Sequence, residues 1–214
     1  MYLLGRRVFP VQADAVYFGG LDASCLQRLS HLLTKTMNVA KEQGLISPGI
    51  PRGDGCWADL GSGSGIFTLA LSNLIGPEGR IYSVDKDRTA LSAQESMFRR
   101  IPQHATLEFL EEDFTKPLLL PPLDGVLMAN SLHFIETKDP VLGLVMSYLK
   151  RGGRLIIVEY NANAGNPWVP YPMDFPSFKR LAERLGFADC RPLATIPSRF
   201  LGEMYSCHCT RSLG

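Results

Sequence analysis

Three glycines at alternate positions, in Asp59-Leu60-Gly61-Ser62-Gly63-Ser64-Gly65, sit between a short apolar run and a helical pattern. A tight strand-to-helix turn needs residues without Cβ where the backbone bends sharply or must touch a ligand, and it aims helix N-terminal amides into the cleft above. A plain turn between strand and helix uses glycine too, so the weight falls on what stands downstream. Asp85 ends the next apolar run. A carboxylate there can accept hydrogen bonds from both hydroxyls of a ribose, a charge-assisted pair. It can also cap the following helix, a role open to Asp87 as well. Asp113-Phe114 follows a third run, where Glu111-Glu112-Asp113 taken alone reads as an exposed acidic loop. Asn130-Ser131-Leu132-His133-Phe134 and Glu159-Tyr160 close two more. Together these groups suit a polar, sugar-bearing nucleotide held at a sheet edge. The spacing narrows the choice: a dinucleotide fingerprint G-x-G-x-x-G needs glycine at position 66, where the chain has Ile66.

Such residues need a frame that gathers several strand ends. Cys56-Trp57-Ala58-Asp59-Leu60 reads as the first strand, and Phe67, Ala70, Leu71 and Leu74 mark a helix that stops near Gly76-Pro77. Arg80 to Asp85 is the second strand, followed by a helix from about Arg88 to Arg100; Leu107 and Phe109 alternate in a third strand ending at Glu111-Glu112-Asp113. Pro117, Pro121 and Pro122 mark a loop, and Asp124 to Asn130 a fourth strand. Leu142, Val145, Met146 and Leu149 fall at helical spacing behind Asp139 as N-cap and Pro140 in the first turn, and this helix is expected to end at Lys150-Arg151-Gly152-Gly153. Leu155 to Tyr160 is apolar enough to be a central strand covered on both faces. A helix through Phe178, Leu181, Ala182 and Leu185, capped by Gly186, leads to two strands near Asp189 to Ile196 and Met204 to Arg211. Their closeness in sequence favours antiparallel pairing. The fold class is therefore α/β: a three-layer αβα, doubly wound, mostly parallel seven-stranded sheet with a C-terminal antiparallel β-hairpin.

The Asp59 to Gly65 stretch resembles the acidic-x-G-x-G-x-G motif of class I, Rossmann-like S-adenosylmethionine-dependent methyltransferases. That resemblance implies a loop wrapped around the methionyl and ribose portions of S-adenosylmethionine, with S-adenosylhomocysteine as product. It further implies Asp59, Gly61, Ser62, Gly63 and Gly65 in the cofactor cleft, Asp85 on the ribose, Lys86 flanking the adenine, and Asp113 and Phe114 against the base. Asn130 and Ser131 stand where the methionine moiety is expected. The family's amino-methylating nucleic-acid enzymes carry Asn/Asp-Pro-Pro-Tyr/Phe at this point, and the departure from it argues against DNA bases as acceptors. Leu149-Lys150-Arg151-Gly152-Gly153 resembles the family's L-x-P-G-G turn, with Arg151 in place of proline. Tyr17-Phe18-Gly19-Gly20-Leu21 resembles a segment that closes over the cofactor in small-molecule methyltransferases. The resemblance covers Trp57 to Tyr160 well and the two ends only in architecture.

Displacement at a sulfonium methyl needs alignment above all, worth roughly 7–11 kcal/mol, and a general base adds less. His133, Glu159 and Tyr160 are the candidate catalytic residues near the expected methyl position, though a lone histidine is more often structural. Trp168, Tyr171 and Phe175 form an aromatic stretch that suits either a pocket for a small, partly apolar acceptor or packing over the sheet. The expected partner is thus a small-molecule methyl acceptor. A net charge of +1 offers no general attraction for nucleic acid. No apolar run approaches the roughly 20 residues that cross a bilayer, and the N-terminus lacks the order of a signal peptide, so a cytoplasmic monomer or homodimer is expected. Five cysteines do not suggest a disulfide framework and are expected as thiols. In Cys207-His208-Cys209 the histidine points away from its neighbours along a strand, so no metal is expected. The length suits one domain, with residues 1–50 as a helical cap or lid and 51–214 as core; helical spacing of Leu26, Leu29, Leu33 and Met37 supports the former. The rival functions are an NAD-dependent oxidoreductase and a non-catalytic S-adenosylmethionine-binding protein.

Overall fold

A computed structural model describes residues 39–213 apart from 52, 54 and 103. The expected glycine lid at Tyr17 to Leu21, the helical spacing of Leu26 to Met37, and Cys25 lie outside the described residues. Residues 39–46 are helical and lead through a 3-10 turn, Ser47–Gly49, into the sheet.

Alternation of apolar runs with amphipathic stretches yields β1 (Cys56–Leu60), α1 (Ile66–Ile75), β2 (Arg80–Asp85), α2 (Arg88–Phe98), β3 (Thr106–Glu111), β4 (Leu123–Ala129), α3 (Asp139–Tyr148), β5 (Leu149–Tyr160), α4 (Phe175–Arg184), β6 (Phe187–Ser198) and β7 (Gly202–Arg211). The strands form one seven-stranded sheet in the order β3-β2-β1-β4-β5-β7-β6. The pairs from β3 to β5 are parallel, and β7 runs antiparallel to both β5 and β6. The expected class and terminal hairpin are therefore present. Chain order reverses between β1 and β4, which opens a crevice at the carboxyl ends of these strands, the place where open α/β sheets bind ligands.

Period-2 geometry sends alternate strand residues to opposite faces, and each face has its own core. Trp57, Ile81, Leu127, Ile156 and Val158 pack with Phe67, Ala70, Leu71 and Ile75 of α1 and with Leu45, Ile46 and Ile50. Ala58, Leu60, Val126, Met128, Leu155 and Ile157 pack on Val141, Leu142 and Val145 of α3 and on Phe178 and Leu181 of α4. Burying a Leu, Ile or Phe side chain contributes about 1.5–3 kcal/mol, so these two layers hold the strand ends rigid under the crevice.

Several expectations are corrected. Leu149 to Gly153 does not end a helix: α3 stops at Tyr148, and the stretch enters β5, with Leu149 paired to Leu123 and Arg154 to Gly125. The glycines absorb the slip in register, Gly152 at φ 72°. Asp139 is the first helical residue of α3 rather than its cap, and its carboxylate instead pairs with Arg184 of α4. β5 is, as expected, an interior strand, paired with β4 on one side and β7 on the other and buried from Leu155 to Tyr160. Of the two settings open to the aromatic stretch, Phe175 takes the packing one: it starts α4 and lies partly buried against Tyr205 at 5.7 Å between ring centroids.

The cysteines also depart from expectation, since Cys190 and Cys209 are joined as a disulfide. A bulge in β6 between Ala188 and Arg191 slides Cys190 opposite Cys209, with their Cα atoms 4.2 Å apart. Cys56 and Cys207 are free thiols. Next to Cys207 on β7, His208 is buried with neither ring nitrogen hydrogen-bonded among the described residues, and burial is the main reason it is held below the usual imidazole range. No group of three metal-ligating side chains occurs among the described residues.

Candidate functional site

The glycine loop joins β1 to α1 and is tied to its neighbour strand by backbone alone: the amides of Gly61 and Ser62 both donate to the Val84 carbonyl. Gly61 sits at φ 78°, and a Cβ there would stand 2.5 Å from Cβ of Ser131, so only glycine lets β1 and the end of β4 approach so closely. Gly65, the N-cap of α1 at φ 80°, is packed by Gln94 in the same way. Gly63 differs, since nothing lies within 4 Å of the Cβ it lacks. The loop thus has a packed inner side and an open outer side.

Under the loop runs a buried polar network. Gln94 of α2 donates to the Ser62 hydroxyl at 2.9 Å and to the Gly63 carbonyl at 2.7 Å. Its own carbonyl accepts from Ser83 at 2.9 Å, and Ser83 and Ser62 lie 2.8 Å apart. Thr68 donates to the carboxylate of Asp59 at 2.6 Å. Asp59 is fully buried, and desolvation, with the like charge of Asp85 adding to it, pushes its carboxyl up to about 7 in spite of that hydrogen bond. Gln94 is absent from the sequence-based set of site residues. Its signal was present: a long polar side chain at a position spaced with Leu91 and Phe98 on the buried face of a helix must find partners there.

Asp85 is placed at the end of β2 beside the loop. One oxygen accepts from the Gly63 amide at 2.7 Å and the other from the Asp87 amide at 2.9 Å. A carboxylate oxygen has two lone pairs, so each retains one for a ligand. Asp87, not Asp85, caps α2, accepting from Thr89 and Ala90. Asp113 accepts from the amide and hydroxyl of Thr115, and these bonds lower its carboxyl below the usual range. Phe114 reaches inward, its ring 3.1 Å from where a Cβ on Gly61 would be. Lys86 is exposed at the rim.

Across the crevice Asn130 stands at φ 55°, a left-handed conformation that asparagine tolerates better than most residues. Its Oδ1 and the hydroxyl of Ser131 are buried without a partner. Buried polar atoms left unpaired cost about 1–3 kcal/mol each, so two of them beside the glycine loop mark a place where another group belongs. His133 and Glu159 come together, both 4% exposed, with Nδ1 2.7 Å from Oε2. Glu159 Oε1 accepts from the amides of Leu132 and His133 at 2.8 and 3.1 Å. Tyr160 meets the His133 ring edge-on at 5.4 Å, and burial raises its phenol above the usual range. Lys138, missed in the sequence, is buried and donates to the carbonyls of Ile135 and Tyr171; desolvation lowers its ammonium. It holds the aromatic loop against the turn after β4. Phe134, Trp168, Tyr171 and Phe200 are all exposed on these segments.

A wound parallel sheet with a reversed terminal hairpin, and a glycine loop at its switch point, defines the class I, Rossmann-like S-adenosylmethionine-dependent methyltransferase fold. The model of a methyltransferase-domain family matches residues 58–155. A ubiquinone/menaquinone biosynthesis C-methyltransferase, UbiE of Pseudomonas savastanoi pv. phaseolicola, is 29% identical over 104 residues, which span 48% of this chain and 41% of the relative. The match thus reaches under half of that relative's length. The UbiE of Hahella chejuensis is 25% identical over 192 residues, 79% of this chain and 75% of the relative. Magnesium protoporphyrin IX methyltransferase of Synechocystis, solved with bound S-adenosylmethionine, shares the fold at a TM-score of 0.61 and 16% identity over 91% of this chain and 88% of that one. Over residues 58–155 the chain is similar to methyltransferase domains, and its fold is that of the class I S-adenosylmethionine-dependent methyltransferases.

Proposed function

We propose that the crevice binds S-adenosylmethionine and that the protein transfers its methyl group to a small-molecule acceptor by in-line displacement. The observation that carries this reading is the pair of buried atoms without a partner at the end of β4, Asn130 Oδ1 and Ser131 Oγ, with Ser131 against Gly61 of the glycine loop, together with the buried carboxyl of Asp59, which has no cation beside it among the described residues. The donor offers what they lack: an ammonium and a sulfonium cation, with a ribose for Asp85. In this reading Gly61, Ser62, Gly63 and Gly65 form the cradle, Asp113 and Phe114 receive the adenine with Lys86 at its edge, and Asn130 and Ser131 hold the methionine end. The bound donor supplies an activated methyl. The protein supplies orientation, a preorganisation worth roughly 7–11 kcal/mol, with His133, Glu159 and Tyr160 the catalytic candidates beside it.

The acceptor is read as small and in part apolar. Phe134, Trp168, Tyr171 and Phe200 present exposed rings on the segments that flank His133 and Tyr160, and the net charge is +1, which gives no field for a polyanion. The UbiE relatives, named for carbon methylation in quinone biosynthesis, agree with that character.

Calorimetric titration with S-adenosylhomocysteine and with NAD tests the first part. The expected result is saturable binding of the former and none of the latter; the reverse would transfer the chain to the oxidoreductases. Methyl transfer from labelled donor to a panel of metabolites tests the second, and binding without transfer to any of them would favour a non-catalytic role.

A further inference from the structure

His133 and Glu159 are more than two neighbouring candidates. The carboxylate accepts three hydrogens from one short segment: the amides of Leu132 and His133 on Oε1 and the imidazole Nδ1–H on Oε2. Because Glu159 sits at the carboxyl end of β5 and the segment leaves the end of β4, this clamp joins the two strand ends that border the crevice. A carboxylate only accepts, so the hydrogen between the two residues lies on Nδ1. That leaves the lone pair on Nε2, and Nε2 has no partner among the described residues. His133 is two residues from Ser131, which touches the glycine loop, and its ring is flanked by Phe134 at 4.2 Å and Tyr160 at 5.4 Å.

We propose that Glu159 is a positioning residue, not a base, and that it holds His133 in the one tautomer able to take a proton from the acceptor through Nε2. The acceptor is then a molecule whose attacking atom carries a hydrogen, an O–H, N–H or S–H of weak acidity, approaching past the exposed rings of Phe134 and Tyr171. The X–H bond breaks and its hydrogen goes to Nε2. The pair freed on X forms the bond to the methyl carbon, while the methyl–sulfur pair stays with sulfur. Water later removes the proton from the imidazolium. This inference rests on the methyltransferase reading and divides the labour within it.

Glu159→Gln tests it sharply. The two backbone amides require an acceptor, so the glutamine oxygen must face Leu132 and His133 and its NH₂ must face Nδ1. The variant therefore keeps the backbone clamp and forces the imidazole hydrogen onto Nε2. Nitrogen-15 spectra of histidine-labelled protein, with the His133 signals assigned through a His133→Gln sample, should show Nδ1–H in the wild type and Nε2–H in E159Q. Binding of S-adenosylhomocysteine should be unchanged, and turnover of an un-ionised acceptor should fall about 10²–10⁴-fold, the usual contribution of general base catalysis. A wild-type spectrum with the hydrogen on Nε2, or on both nitrogens, overturns the proposal even if E159Q fails to fold, as does an E159Q enzyme with wild-type turnover. Loss of S-adenosylhomocysteine binding by the wild type would instead sink the methyltransferase reading beneath it.

Discussion

Asp59 is a buried acid with a hydroxyl donor but no cation among the described residues, and desolvation sets its titration near 7 against an ordinary value of 3.8. A group whose acid form folding favours contributes its stability in full below the unfolded value and loses it as pH rises through the folded one. Ligand-free protein should therefore become less stable between about pH 4 and pH 8 on this account. Asp59→Asn keeps an acceptor for Thr68 and removes the ionisation, so thermal unfolding should show the variant more stable than wild type by roughly 2–4 kcal/mol at pH 8 and nearly equal to it at pH 4. An ammonium-bearing ligand reverses the balance by favouring the carboxylate. Titrating S-adenosylmethionine near pH 6.5 in buffers of different ionisation enthalpy should detect a released proton in wild type and none in D59N.

At the scale of elements, the turn between β1 and α1 is shaped by what packs on its inner side. Gly61→Ala places a methyl 2.5 Å from Ser131 at φ 78°, where both the clash and the left-handed backbone oppose it. Gly63→Ala, at φ 51° with open space around it, bears the backbone penalty alone, about 1–2 kcal/mol. Denaturant unfolding should rank G61A well below G63A, while both weaken S-adenosylhomocysteine binding if the open side is cofactor space. Gln94→Leu keeps the helical face apolar yet strips partners from Ser62, Ser83 and the Gly63 carbonyl. Leaving buried polar groups unpaired costs about 1–3 kcal/mol each, so the variant should lose stability and bind the cofactor at least tenfold more weakly in calorimetry. A Q94L protein that bound normally would show that the network supports the fold and not the loop.

For the molecule as a whole, the crevice joins elements far apart in sequence, so a ligand seated there reports on global stability. S-adenosylhomocysteine at a hundred times its Kd should add about 2.7 kcal/mol and raise Tm by roughly 5–10 °C. Hydrogen exchange should slow most in the glycine loop, the end of β2 and the turn after β4, with little change in the β6–β7 hairpin. The disulfide between Cys190 and Cys209 fastens that hairpin from across a separation of 19 residues. Alkylation of unfolded, unreduced protein should leave both cysteines unmodified.

Local pattern was enough to locate much of this molecule. Cys56 to Leu60 and Arg80 to Asp85 read as strands because short, mainly apolar runs end at turn residues, and Gly61, Gly63 and Gly65 read as a ligand loop because nearest-neighbour backbone demands are written in residue type. Those features depend on steric and solvation preferences that act within a few residues. The bulge that brings Cys190 to Cys209, the descent of Leu149 to Gly153 into β5, and the burial of Gln94 under the loop depend instead on register and helix placement. So does the clamp of Glu159 on His133: the two stand 26 residues apart, and only the parallel pairing of β4 with β5 carries the carboxylate to the imidazole.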